Sequence, residues 1–577
     1  VVGDTINIAS RLSSLAKDGE ILIGRETYRQ AEGHFKFETL DPATVKGKAK
    51  PIQIYKVLSS KEKPITVHRL SGVRADLVGR KAELAELCKA VNNLSDGKGS
   101  IFSISGSAGI GKSRLVEEFK ATLDIEKIQW VDGHAYPYAQ NIPYFPIIDL
   151  LNRVLKIEEN DDPERIKRKI EFELEQLVGK QEDIVPYIGG LYSINYPEVE
   201  DVSPEFWKSR LQKAIQEILS ALAKRASTIF FLEDLHWADP SFVDLLRNAL
   251  LSVRQPAIVL CVYRPTFNLF STQQLRSLGK LYHEIRLINL SPSDTRNMMK
   301  LLLKTESIPY ELNQLVRDKS EGNPFYLEEL INSFIESEVL IQENGDWKIA
   351  RSITEKDMSA SIQGLISVRL DRLEKEAKRI IQEASVIGRA FLYDLLQKIT
   401  EINQGIHRSI KDLEGLNFIR VRAFEPDLEY IFKHALTQEV AYNGLLKEER
   451  RKIHERIGLV IEKLFRHRLP EFYEALAFHF TRSQSINKAI YYLMKSGDKS
   501  LRRYAIEESH QYFKDAFNIL SDKRMKTRED EKLMIDILLQ WAYVFNHRGD
   551  FRGLANLFSA HEDIARSLDD KERLGMF

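Results

Sequence analysis

Two short stretches concentrate the residues able to do chemistry. The first is GSAGIGKSR, Gly106 to Arg114, which fills the pattern G-x-x-x-x-G-K-[ST]. Gly106, Gly109 and Gly111 let the backbone turn so that successive N–H groups face one concavity and bind phosphate oxygens. Lys112 would reach the β- and γ-phosphates of a nucleoside triphosphate, and the Ser113 hydroxyl would ligate Mg²⁺. Arg114 is counted with them as a nucleotide contact. The second stretch is IFFLEDLHWAD, where an apolar run ends in Glu233 and Asp234. One carboxylate would hold the Mg²⁺ and its water shell, and the other would orient or deprotonate an attacking water. Register assigns Glu233 to the metal and Asp234 to the base. The reverse fits nearly as well, because Asp is the commoner metal-side residue.

These groups need elements to hold them. SIFSIS reads as a strand running into the glycine loop, and SRLVEEFKATL as an amphipathic helix whose positive end faces the anion. STIFFLED and AIVLCVYRP read as further strands separated by helices, and β-then-α units imply a parallel sheet covered by helices. The chain ahead of this core reads as a helix followed by strands EILIG, FKFETL and IQIYKVL, with SSKEKP as a linker. Asp4 or Thr5 would cap that first helix, and Ile6, Ala9 and Leu12 would face inward. Asn7 and Arg11, four residues apart, then project from one face and can converge on a ligand. Arg is suited to spreading charge on a transferring phosphoryl group, and Asn to fixing a sugar or the Arg itself. Beyond about Leu290 strands become scarce and helical periodicity dominates.

Composition narrows the classes. Lys plus Arg and Asp plus Glu each number 84 in 577 residues, so net charge offers no electrostatic case for nucleic acid or an anionic membrane. The apolar runs IFFL and AIVLCVY are too short to span a bilayer. The cysteines, Cys88 and Cys261, sit in apolar surroundings and suggest buried thiols in a reducing cytosol. A cytoplasmic protein is expected, with neither nucleic acid nor membrane as partner.

LVGRKAEL, GSAGIGKSR and FLEDLHWADPS together resemble the STAND NTPases, signalling relatives of AAA-type ATPases, and within them the branch fused to nucleotide cyclases. The resemblance implies three more nucleotide contacts. Arg264 would sense the γ-phosphate, and Pro324 in EGNPFYLEEL would pack near adenine. His434 in FKHALTQEVAY would bring a winged-helix domain to the β-phosphate of ADP. GDTINIASRLSSLAKDGEILIGRETY followed by LDPATVKGKAKPIQIYKVL resembles the C-terminal end of class III adenylate/guanylate cyclase catalytic domains. That likeness implies that Asn7 and Arg11 stabilise the cyclising transition state and that Lys46 or Lys48 binds triphosphate. It also implies that the two metal-binding aspartates of such domains lie upstream of Val1. These 577 residues alone are therefore expected to bind ATP with Mg²⁺ but not to cyclise it.

The expected architecture is multidomain, α/β plus α. Residues 1–58 form part of an α+β cyclase domain, 59–76 a linker, and 77–290 a P-loop core with a parallel sheet. Residues 291–355 form a helical subdomain and 356–465 a winged-helix-like region of three helices and a terminal hairpin. Residues 466–577 form tetratricopeptide-like repeats, with WAYVFNHRGDF as the repeat-like turn. Ala477, Ala489, Ala505, Ala516, Ala542 and Ala555 are expected where helices cross closely. Such a solenoid would bind protein partners, and the cyclase domain would dimerise. The combined reading is a nucleotide cyclase regulated by an ATP-dependent switch. Two alternatives remain at this point: a transcription activator of the maltose-regulator type and a nucleotide-binding scaffold without turnover.

Overall fold

The computed structural model describes residues 12, 16, 20–24, 27, 35–43, 52–60, 77–124, 127–158, 161–179, 183–199, 201–252, 256–343, 346–351, 361–402, 405–423 and 428–577. Asn7, Arg11, Lys46 and Lys48 lie outside them, as do residues 61–76 of the expected linker. The chain divides into two compact units.

In the first unit β1 (Ile21–Gly24), β2 (Phe35–Ala43) and β3 (Ile52–Ser60) form an antiparallel sheet in the order β1-β3-β2. Leu12 is helical and buried, its methyl facing Gly24. Strand β3 runs through Ser59 and Ser60, so the sheet extends past the expected boundary at 58.

The second unit begins with α1 (Lys81–Ser95), β4 (Ser100–Ser105), α2 (Lys112–Ala121), β5 (Ile128–His134) and α3 (Phe145–Val154). Helices α4 (Pro163–Val178), α5 (Val185–Leu191) and α6 (Pro204–Arg225) follow, then β6 (Ser227–Glu233), α7 (Pro240–Ser252), β7 (Ala257–Tyr263), α8 (Thr272–Leu278) and β8 (Tyr282–Arg286). The five strands are parallel in the order β5-β6-β7-β4-β8. Both β4 and β7 are buried along their whole length, as a sheet covered by helices on each face requires. Their C-terminal ends form one edge, where the glycine loop leaves β4 and the acid pair leaves β6.

A small helical subdomain follows, α9 (Pro292–Leu303), α10 (Tyr310–Ser320) and α11 (Pro324–Glu336), around a core of Leu302, Val316, Leu327 and Phe334. It ends in a hairpin, β9 (Leu340–Glu343) with β10 (Asp346–Ile349), too short to show a period in the sequence. Next come α12 (Ile362–Asp371), α13 (Lys375–Ile387), β11 (Ala390–Leu392), α14 (Tyr393–Ile399), α15 (Ile406–Gly415), β12 (Ile419–Ala423) and β13 (Glu429–Phe432). Strands pair antiparallel as β11-β13-β12, so helices are followed by a hairpin, the order expected of a winged helix. Helices α16 (Ala435–Asn443) and α17 (Lys447–Leu464) lead into the C-terminal array.

That array stacks α18 (Tyr473–Thr481), α19 (Ile486–Arg502), α20 (Ile506–Ser521) and α21 (Arg528–Arg548), with three short helices after them. Ala477, Ala489, Ala505 and Ala516 are buried as expected, whereas Ala542 is half-buried and Ala555 exposed. Glycines make the closest crossings: a Cβ on Gly497 would lie 2.8 Å from the ring of fully buried Phe513. The repeat-like turn forms where it was expected. Gly549 ends α21 in the left-handed region, and Asp550 accepts a hydrogen bond from the amide of Gly553 at 2.9 Å. Helix α20 seats on the core. The Glu508 carboxylate accepts from Ser241 N at 2.8 Å and Ser241 Oγ at 2.9 Å, at the start of α7. Asp239, adjoining it, accepts from Tyr144 N at 2.9 Å and Phe242 N at 2.8 Å. Burial first, then the charge of Glu508, pushes the Asp239 carboxyl well up, and burial lifts Glu508 as well. Among the described residues no helix is long and apolar enough to cross a membrane.

Gly497→Ala forces a methyl against the Phe513 ring and should destabilise the chain by about 1–3 kcal/mol. Ala555→Ser, on an exposed face, should stay within about 0.5 kcal/mol of wild type. Denaturant midpoints of the two variants check both.

Candidate functional site

Gly109 (φ 76°) and Gly111 (φ 100°) give the loop after β4 its left-handed turns. At Gly109 a side chain is also excluded by space, because its Cβ would stand 2.8 Å from Phe325 Cβ and 3.0 Å from Asn323 Oδ1. Gly111 leads into α2 without any side-chain cap, so the first amides of that helix are left for an anion. Lys112 is buried, and its ammonium donates to the carbonyls of Gly106 at 2.8 Å and Ser107 at 2.9 Å. Burial lowers it to about 8, against the pull of Asp234, with Arg264 and Arg389 also disfavouring the charge.

Glu233 is buried at the end of β6 and accepts a hydrogen bond from Ser113 Oγ at 2.5 Å. This bond joins the two sequence motifs. Ser113 and Glu233 are the pair available to a divalent cation that takes its other ligands from water and phosphate, as Mg²⁺ does. The loop that a Cβ would fill, the uncapped amides and this oxygen pair fit Mg²⁺-nucleotide.

Behind Glu233 stands His134, its Nε2 3.7 Å from Glu233 Oε2 and its Nδ1 3.0 Å from Asp149 Oδ2. Asp149 also accepts from the His134 amide at 2.9 Å and pairs with Arg153 at 2.8 Å. Burial alone would raise this carboxyl, but His134 and Arg153 hold it below the usual carboxylate range.

Asp234 adopts the left-handed backbone region, φ 56°, immediately after β6. It is gripped by the Arg389 guanidinium, from the segment between α13 and β11. Arg264, at the end of β7, does not stand free at the sheet edge: its Nη2 lies 3.5 Å from Glu439 Oε1 on α16, and its guanidinium 5.7 Å from the Trp237 ring. Arg114 pairs with Glu118 one turn on, at 3.1 Å. Pro324 occupies the first turn of α11, where Asn323 caps the helix and donates to Ala108 O at 3.1 Å. The amide of Phe325 donates to Gly109 O at 3.2 Å. His434 lies over Phe325 with ring centroids 3.8 Å apart; its Nε2 is buried without a hydrogen-bond partner, and burial pushes it well below the usual imidazole range.

The structure thus brings Gly106, Gly109, Gly111, Lys112, Ser113, Glu233, Asp234, Arg264, Pro324 and His434 around one loop. Sequence reasoning missed Arg389, which shows no motif and reaches the acid pair only through the fold. It also missed Arg420, which pairs with Glu117 of α2 at 2.8 Å, and Arg80, a buried guanidinium donating to the carbonyl of Ile288. For Arg80 the sequence carries a signal, since LVGRKAEL is one of the stretches that bear the family resemblance.

Residues 76–262 match the family model of the AAA ATPase domain, and residues 1–59 match that of the adenylate and guanylate cyclase catalytic domain. An uncharacterized protein of Rhizobium meliloti (strain 1021) is 22% identical over 531 residues, covering 90% of this chain and 50% of that protein. Adenylate cyclase type 10 of Oryctolagus cuniculus is 20% identical over 452 residues, covering 69% of this chain and 28% of that protein. A solved STAND protein with a tetratricopeptide repeat sensor, from Pyrococcus horikoshii, aligns over 89% of this chain and 80% of its own, with 15% identity and a TM-score of 0.39. The chain spans half the length of the first of these relatives and less of the second.

Lys112 supplies a pH test. Its folded value, about 8, lies below the ordinary 10.5, so between those limits the unfolded chain binds more protons and this group makes stability rise with pH. Without nucleotide, Lys112→Met should therefore be more stable than wild type below pH 8, by a few kcal/mol. The gap should shrink towards pH 10, as read from denaturant unfolding at each pH.

Proposed function

We propose that this chain, which joins an AAA ATPase domain to a stretch of adenylate/guanylate cyclase catalytic domain, is the switch part of a signalling nucleotide cyclase. The observation that carries this reading is the 2.5 Å bond from Ser113 to Glu233 beneath a lysine whose ammonium is held by loop carbonyls. The uncapped amides of α2 and Lys112 bind the β- and γ-phosphates of ATP, with Lys112 exchanging its carbonyl partners for phosphate oxygens. Ser113 and Glu233 hold Mg²⁺, which neutralises phosphate charge when bound. Asp234 is the base that orients water, and Arg389 occupies it in this arrangement.

The winged helix is thereby the latch. Arg389 on Asp234, Arg420 on Glu117 and Glu439 on Arg264 are three ion pairs that close it over the loop. His434 over Phe325 sets it against the wall of the nucleotide site. ADP favours this closed form; ATP and a protein bound to the repeats favour opening, which repositions the cyclase domain. Asn7, Arg11 and Lys46 or Lys48 serve cyclisation there, in a dimer. The chain alone binds ATP without cyclising it, because two-metal chemistry needs a pair of carboxylates that its cyclase segment is not expected to contain. A second reading, a nucleotide-binding scaffold without turnover, is favoured by one observation: the Arg389 guanidinium already occupies the base.

Lys112→Ala should abolish ATP binding in calorimetry; unaltered affinity would sink the proposal. Arg389→Ala should raise phosphate release at least several-fold, and Asp234→Asn should remove it. The scaffold reading expects no phosphate from any of these proteins.

A further inference from the structure

His236 sits in a single 3₁₀ turn, Leu235–Trp237, immediately after Asp234. Its side chain is only 7% exposed, and neither ring nitrogen has a hydrogen-bond partner. His434 is buried with Nε2 alone unpartnered, and other buried imidazoles are paired. His134 has Asp149 at 3.0 Å, and His454 and His479 bring their Nδ1 atoms within 3.0 Å of one another. A buried polar ring left unpaired on both nitrogens costs free energy, and such a group in a native site calls for an explanation.

The neighbours say what would pair it. His236 Nδ1 is 3.9 Å from Asp234 Oδ1, and the ring lies 5.1 Å from that of Trp237, over which Arg264 is placed. Burial first, then the charges of Arg264, Lys112 and Arg389, lower it to about 3. A neutral imidazole offers one donor and one acceptor. The three cations have no acceptor to give it, and Asp234, with Oδ2 on Arg389, keeps Oδ1 beyond hydrogen-bond reach of the ring at 3.9 Å. A ligand that satisfies both nitrogens must bring an anionic oxygen to the N–H and a proton donor to the other nitrogen. A terminal phosphate and the water facing Asp234 are such a pair.

We infer that His236 reads the terminal phosphate of a bound nucleoside triphosphate, its N–H donating to a phosphate oxygen and its second nitrogen accepting from the water beside Asp234. His236 then distinguishes tri- from diphosphate, whereas Lys112 and the loop amides serve both. The inference rests on the nucleotide reading of the P-loop given above.

Titrating the full chain with MgATP and MgADP in a calorimeter tests it. His236→Leu removes both polar nitrogens and keeps the bulk; ATP affinity should fall about tenfold, the scale of one hydrogen bond to a charged group. ADP affinity should stay within about twofold. His236→Asn, which keeps a donor, should lose less, and it supplies the same comparison if the Leu variant does not fold. Equal losses for the two nucleotides, or no loss for either, would overturn the assignment while leaving the P-loop reading standing. A wild-type chain that binds neither nucleotide would remove both.

Discussion

A lysine ammonium kept under a loop of backbone needs oxygen atoms around it, or it gives up its proton. Lys112 meets that demand with two carbonyls of its own loop, and burial still brings it down to about 8. The surrounding structure follows from this one constraint. Carboxylates must stand close enough to support the cation, and they do: Glu233 through Ser113, and Asp234 at the next position. Each of these acids has its own partner. Glu233 takes the Ser113 hydroxyl, and Asp234 takes Arg389.

That division of partners links chemistry to domain arrangement. Ser113 and Glu233 both belong to the core fold, so their bond involves no residue of the flanking modules. Arg389 belongs to the winged helix, so its bond to Asp234 exists only while that module is seated. A buried guanidinium that loses its carboxylate is strongly disfavoured. Separating the two would leave both charges in need of another partner or of water. The helical subdomain is tied to the loop itself, because Asn323 and Phe325 are hydrogen-bonded directly to Ala108 and Gly109.

Much of this was legible in the sequence, for definite reasons. The P-loop and the acid pair obey strict local spacing, since phosphate oxygens fix where amides, lysine and hydroxyl must be. Strands β4, β6 and β7 showed as apolar runs because both faces of a parallel sheet are covered. The residues that sequence missed act across the fold. Arg389 lies in GRAFLY, which has no pattern of its own, and Arg420 sits in a short strand of the winged helix. Arg264 was expected to face the γ-phosphate, and its pairing with Glu439 depends on where α16 lands, which no local rule dictates. Small residues misled in a milder way: Ala555 has the right type but no neighbour to cross, while Gly497 marks an intimate contact.

The seat of α20 on the core has a mechanical meaning. Glu508 closes the amino end of α7 from outside, and Asp239 closes it from within. The same short run of backbone that ends at Asp239 starts at Asp234. The contact of α20 with the core and the carboxylate held by Arg389 are therefore separated by only a few peptide units of one backbone segment.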